Sequence, residues 1–253
     1  MSYKTFIYPF FLLLILQKSI LANEKSVSFA SGEFPPFSSS QMKNYGLASE
    51  VIIQACKLAH LKCNISFYPW LRVEDLVQKG KVFGAFPYVF TEERSKKYFF
   101  SETIYSGDVR IFYLKKNNKK FYSLNNQSID KFDNKTIFGY VRGNFYKDIL
   151  DKLNKQSEES SDNIVLTKKL ITERVDLIID NYHVFNHYLN KYYPNFKNQI
   201  LNINVIDFKS LPNMLIVSKT YPSSEKILEI INIGIKKLKE NGSYDKILLK
   251  YNY

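Results

Sequence analysis

Lys81-Val82-Phe83-Gly84-Ala85-Phe86-Pro87-Tyr88-Val89-Phe90-Thr91-Glu92-Glu93-Arg94 is the stretch on which the reading of this chain turns. Val82 to Phe90 is a short apolar run of strand-forming residues, and it ends in a Thr91-x-x-Arg94 step. In open α/β folds, ligands bind beyond the carboxyl ends of the strands. An arginine just past such an end offers a planar, permanently charged fork that suits a carboxylate. Two readings stand open on these residues alone: an anion site, or a surface arginine in the helix that follows.

Outward from this stretch, strand and helix patterns alternate. Upstream, Val27–Phe29 reads as a strand leading into the aromatic loop Gly32-Glu33-Phe34-Pro35-Pro36-Phe37. Val51, Ile52, Ala55, Leu58 and Ala59 recur at helical spacing. Asn64–Trp70 alternates as a strand, and Val73–Lys79 is a short helix stopped by Gly80. Downstream, Val109–Leu114 is a strand, followed by a basic, asparagine-rich linker from Lys115 to Lys120. A second series then predicts strands at 135–141, 163–166 and 175–179, helices at 144–154 and 181–190, and a loop at 156–162. Strands at 205–208 and 215–217 precede an amphipathic helix marked by Ile227, Ile230, Ile231, Ile235 and Leu238 and stopped by Asn241-Gly242; a short helix then runs to Tyr251. The alternation argues for parallel α/β sheets in two halves of about 100 residues, with a cleft between them.

The N-terminus points to export. Lys4 precedes an apolar run from Phe6 to Leu16, and Ser19-Ile20-Leu21-Ala22 ends in a small residue. That run is shorter than the roughly 20 residues needed to span a bilayer and fits a secretory signal over residues 1–22, which removes Lys4 and Lys18. The net charge of +12 is spread along the chain among many asparagines, so it reads as compositional drift and not as a nucleic-acid groove. Two cysteines occur, Cys56 and Cys63. In an oxidising compartment an even count reads as one disulfide, in preference to a redox or metal pair. His183 and His187 lie four apart on one predicted helix without a third ligand nearby, so no metal is expected. The sequence presents no nucleophile–base arrangement, no glycine-rich phosphate loop and no zinc motif, and no cofactor is expected.

Several short motifs recur in a telling order: Phe34-Pro35-Pro36-Phe37, Phe67-Tyr68-Pro69-Trp70, Gly84-Ala85-Phe86 before Thr91-x-x-Arg94, and Ser101-Glu102-Thr103-Ile104-Tyr105. Gly139-Tyr140-Val141-Arg142-Gly143, Arg174-Val175-Asp176-Leu177-Ile178-Ile179-Asp180 and Gly242-Ser243-Tyr244-Asp245-Lys246-Ile247 complete it. Through nearly the whole exported chain they resemble the periplasmic solute-binding proteins of family 3, the amino-acid receptors of ABC importers. The Cys56–Cys63 pair also looks like a disulfide found in some of these receptors. The resemblance implies the two-lobed type II periplasmic binding protein fold, an α/β fold with two hinge crossings near Phe112–Lys115 and Phe208–Pro212. Lobe 1 would be residues 23–113 with 211–253, and lobe 2 residues 114–210.

By the same resemblance, Arg94 receives a ligand α-carboxylate and Asp180 pairs with the α-ammonium, although Asp180 also reads as the N-cap of the next helix. Phe34, Trp70 and Tyr88 wall the cleft, Thr91 belongs to the arginine step, and Arg72 is a candidate second positive charge. Pro87 and Val89 stand where amino-acid receptors carry small hydroxyl residues, and so do Asn144 and Phe145 after Gly143. The implied function is capture of a small polar or amino-acid-like ligand by a periplasmic monomer that serves an inner-membrane ABC permease. Two alternatives share the fold: a cyclohexadienyl dehydratase-like enzyme with Glu33 or Glu102 as its acid, and a ligand-sensing input for a membrane sensor.

Overall fold

The computed structural model describes residues 25–208 and 211–253. The expected signal segment, residues 1–22, lies outside the described residues, as do positions 209 and 210 within the second expected crossing.

The first half opens with β1 (Lys25–Ser31), α1 (Leu47–Leu58), β2 (Leu61–Phe67), α2 (Trp70–Gln78) and β3 (Gly84–Val89). The short α3 (Glu92–Lys97), β4 (Tyr98–Phe100) and β5 (Tyr105–Gly107) follow. The chain then enters the second half through β6 (Val109–Leu114), α4 (Asn118–Phe121), β7 (Phe138–Val141), α5 (Tyr146–Lys152) and β8 (Ser157–Ser160). It continues through α6 (Asn163–Ile171), β9 (Leu177–Asn181), α7 (Tyr182–Tyr192) and β10 (Ile200–Asn204). It returns to the first half for β11 (Leu211–Ser218), α8 (Ser224–Glu240) and α9 (Ser243–Lys250).

Among the described residues the strands form two sheets. The first runs β2-β1-β3-β11-β4, with β5 also on β11, and the second β10-β6-β9-β7-β8. Neither is wholly parallel, contrary to the alternation read from sequence. β1 pairs parallel with β2 and β3, but β11 runs antiparallel to β3, β4 and β5. In the second sheet β6 is antiparallel to both β9 and β10. The reason is that β6 and β11 enter their sheets from the other half and not through a right-handed crossover helix, which is what makes neighbours parallel.

Apolar side chains cover both faces of each sheet. On one face of the first, Ile227, Ile231, Ile235 and Leu238 of α8 pack with Val51, Ile52 and Ala55 of α1. α1 and α8 meet so closely at Gly234 that a β-carbon there would sit 2.3 Å from the Ala55 carbonyl oxygen. On the other face Val73 and Val77 of α2 lie against Ala85 and Ile216. The Cys56–Cys63 disulfide is formed, tying the end of α1 to β2 across 6.1 Å between Cα atoms. Closing so short a loop contributes about 2.5 kcal/mol on chain entropy.

Four local readings are corrected. Asn163–Leu166, read as a strand, begins helix α6, because Asp162 caps it by accepting from the Val165 N–H at 2.9 Å. The polar segment 156–162, read as a loop, contains edge strand β8, whose exposed Ser157 and Glu159 fit a sheet edge. Residues 205–208 form a bridge and a 3₁₀ turn instead of a strand. The basic stretch 115–120 is no linker; it coils into short helical turns that bury Phe121. The change of sheet also falls earlier than the boundary expected after residue 113. β5 ends in the first sheet at Gly107, and the whole of β6 belongs to the second.

Candidate functional site

β1, β3, β7 and β9 all point their carboxyl ends at a cleft between the two sheets, of about 730 Å³ counting its open mouth. Phe34, Trp70, Pro87, Tyr88, Val89 and Arg94 line it from the first half. Val109, Val141 to Tyr146, Asn163, Asp180 and Asn181 line it from the second, and Leu211 and Asn213 from β11.

The aromatic wall is set by packing. Trp70 opens α2 and lies across Gly32, where any β-carbon would fall 2.4 Å from the indole. Its ring meets Phe34 edge-on at 6.2 Å and Tyr88 edge-on at 5.7 Å. Tyr88 is both core and wall: it packs under α2, lines the cleft, and has a buried hydroxyl with no hydrogen-bond partner. Burial pushes that hydroxyl well above the usual phenol range.

Arg94 joins the two readings open in the sequence. Its backbone N–H donates to the Thr91 hydroxyl at 3.1 Å, so Thr91 is the cap of α3, while its side chain lines the cleft and is 15% exposed. The guanidinium already has partners. Nη2 donates to Glu74 Oε1 at 3.1 Å, Nη1 to the Val89 carbonyl at 3.3 Å, and Cζ stands 4.8 Å from the centre of the Tyr88 ring. Glu74, one turn into α2, was not visible from sequence as a partner because the contact spans twenty residues.

Asp180 is 2% exposed at the end of β9. Oδ1 accepts from the Asn181 N–H at 2.7 Å and Oδ2 from the Asn163 amide. No described lysine, arginine or histidine pairs with it. Burial raises its pKa from 3.8 to about 7, against the lowering effect of those two hydrogen bonds. It does not cap α7. Asn181 does, accepting from the N–H groups of His183 and Val184 at 3.0 and 3.3 Å.

Asn144 and Phe145 line the cleft as expected positions, and the Asn144 Oδ1 is buried without a partner. Thr91 instead lines an adjoining groove with Glu74 and Glu93. Arg72 is outside the cleft lining: it is exposed and bound to Asp75, three residues on in α2, at 2.9 Å. A residue two positions into a helix that starts at Trp70 points away from the face Trp70 presents to the cleft. The proposed acids of an enzyme are outside as well. Burial raises the Glu33 pKa, but hydrogen bonds from Ser39 and Ser40 outweigh it and hold the carboxyl below its ordinary value. Glu102 lies in a groove on the outer face of α8. Sequence reasoning missed Asn163, Asn181 and Asn213. The Asp162 cap signal would have moved Asn163 onto a helix start; the other two carry no local signal.

Two α/β halves around a cleft, joined where β5 passes into β6 and where the chain enters β11, define the type II periplasmic binding protein architecture. The family model of bacterial extracellular solute-binding proteins, family 3, matches residues 28–253, and the chain belongs to that family. Solved structures with the same fold include an amino acid ABC transporter substrate-binding protein from Streptococcus pneumoniae bound to L-arginine. It is 20% identical, with a TM-score of 0.71 over 89% of this chain and 94% of that one. An ancestral amino-acid-binding precursor of cyclohexadienyl dehydratase is 18% identical, with a TM-score of 0.71 over 95% and 98%. A histidine kinase sensor domain similar to periplasmic binding proteins is 12% identical, with a TM-score of 0.75 over 90% and 96%. Comparison with curated protein sequences finds no match.

Proposed function

We propose that this protein captures a small polar or amino-acid-like solute between its two halves and delivers it, as a periplasmic monomer, to an ABC-type importer. The observation that carries this reading is Asp180. A carboxylate taken out of water without a cation is costly, and a ligand's positive group removes that cost on binding. Asp180 stands on the second half, with Phe34, Trp70 and Arg94 on the first, so a ligand touching both walls favours their approach. The hinges are the passages from Gly107 to Val109 and into Leu211. Micromolar capture needs only about 8 kcal/mol, within reach of one desolvated ion pair with aromatic contact.

The importer is preferred to a dehydratase because Glu33 and Glu102 do not line the cleft. A sensor in place of a permease would use the same capture step. Calorimetric titration with amino acids, amines and small carboxylates tests the reading. The expected result is micromolar binding of at least one solute, lost in Asp180→Asn. Absence of binding across the panel refutes capture, and undiminished binding by the variant refutes Asp180 as the anchor.

A further inference from the structure

The charges at the cleft are not balanced, and the imbalance carries information about the ligand. Two arginines and one carboxylate line it: Arg94, Arg142 and Asp180. Both arginines are already matched within the protein. Arg94 is held by Glu74 at 3.1 Å, and Arg142 by Glu159 through Nε at 2.9 Å and Nη2 at 2.8 Å. Asp180 alone has no cation among the described residues, and it is the most deeply buried of the three charged groups. Two further polar atoms of the lining are buried without partners, the Asn144 Oδ1 and the Tyr88 hydroxyl. An amide oxygen only accepts and a hydroxyl accepts as well as donates. What Asp180 and these acceptors lack is therefore a positive charge with N–H donors, whereas each arginine that would receive a carboxylate already holds a glutamate.

We propose that the ligand is an organic cation, an amine carried on an apolar or aromatic body, and that no carboxylate is needed for its recognition. This rests on the capture reading above and narrows it. An ammonium reaching Asp180 pairs with the one unmatched charge, and its remaining N–H groups find acceptors in the cleft. Phe34, Trp70 and Tyr88 present rings, and Val109, Val141 and Leu211 aliphatic surface, to the rest of the molecule. Rings of this kind also attract cations directly. A ligand carboxylate, by contrast, displaces Glu74 from Arg94 before gaining its own pair, so the exchange returns little net energy. Burial pushes the Asp180 pKa up, in keeping with a carboxyl that has no cation beside it among the described residues.

Glu74 then acts as a specificity residue, because it makes Arg94 unavailable. It bonds no other side chain among the described residues, and its side chain is 35% exposed, so Glu74→Gln is a mild change. The test is calorimetry on wild type and Glu74→Gln with three pairs that differ by a carboxylate: L-phenylalanine and 2-phenylethylamine, L-arginine and agmatine, L-lysine and cadaverine. In every pair that binds wild type, the amine is expected to bind at least tenfold more tightly. Glu74→Gln is expected to shift that ratio at least tenfold toward the amino acid. An amino acid that binds wild type as tightly as its amine overturns the proposal and leaves capture standing, and so does a ratio unmoved by Glu74→Gln. If none of the six binds, the amine proposal is overturned, and capture falls with it only when the wider panel of amino acids, amines and small carboxylates also shows no binding.

Discussion

Replacing Asp180 by asparagine should make the protein more stable as well as unable to bind. An aspartate with a folded pKa of about 7 and an ordinary value of 3.8 binds more protons folded than unfolded between those limits. Its contribution to stability is therefore most favourable below pH 3.8 and is lost as pH rises through 7. At about 1.4 kcal/mol per pH unit, the full loss above pH 7 is about 4 kcal/mol. Asparagine is nearly isosteric. Its oxygen can keep the Asn181 N–H bond, and its amide can donate to Asn163 once the Asn163 amide turns over. The measurement is thermal unfolding of both proteins by circular dichroism, without ligand, at pH 5 and pH 8. Comparing variant with wild type cancels every other titrating group. About 1.7 kcal/mol of the loss is present at pH 5, so the advantage of Asp180→Asn should grow by about 2.5 kcal/mol toward pH 8. That corresponds to a Tm gap widening by about 5 to 10 °C for a chain of this size. A gap equal at both pH values, or a variant less stable at pH 8, refutes the claim that an unmatched charge is buried here.

The same carboxyl sets the pH dependence of capture. A cationic ligand binds the ionised form, so affinity for 2-phenylethylamine should fall about tenfold from pH 8 to pH 6. The groups around Asp180 are Asn163 of α6, Asn181, and the tyrosines Tyr146 of α5 and Tyr188 of α7, whose hydroxyls its charge reaches; these tyrosines stay neutral across that range. Fluorescence of Trp70, the only tryptophan, reads the titration, and an affinity flat with pH argues against ion pairing at Asp180. Separately, Gly234→Ala sets a methyl against the Ala55 carbonyl and forces α1 and α8 apart. Overpacking of this kind costs about 1–3 kcal/mol, against up to about 1 kcal/mol gained in helix propensity, so Tm should drop by several degrees; an unchanged Tm means the two helices separate freely.

Much of the fold was legible because its signals are local. The isoleucine spacing of α8, the apolar run of β3 and the cysteine pair each lie within a few residues, and the order of short motifs named the family. The site was legible in part. Arg94 and Asp180 were both found, and the structure brings them to one cleft, but their surroundings differ from the symmetrical clamp the sequence led one to expect. Asn144 comes from the loop after β7 and asparagines 163, 181 and 213 from α6, β9 and β11, so no window of sequence collects them. The edge strand β8 and the start of α6 were misread because polar residues at a sheet edge imitate a loop, and an apolar first turn imitates a strand.

By itself the sequence determined the family, the alternation of strands and helices and the disulfide, and it singled out Arg94 and Asp180, both of which line the cleft. The alternation follows from periodicity and the disulfide from composition, whereas the family and the two side chains follow from the resemblance of short motifs to known receptors. Tertiary structure decided which charges remain unmatched. Glu74 reaches Arg94 from another helix and Glu159 reaches Arg142 from another strand, while β9 carries Asp180 into the interior among neutral amides and tyrosines. Charge pairing acts over a few ångströms of space and is indifferent to chain distance, so only the folded arrangement reveals that the group still waiting for a partner is the aspartate and not the arginine.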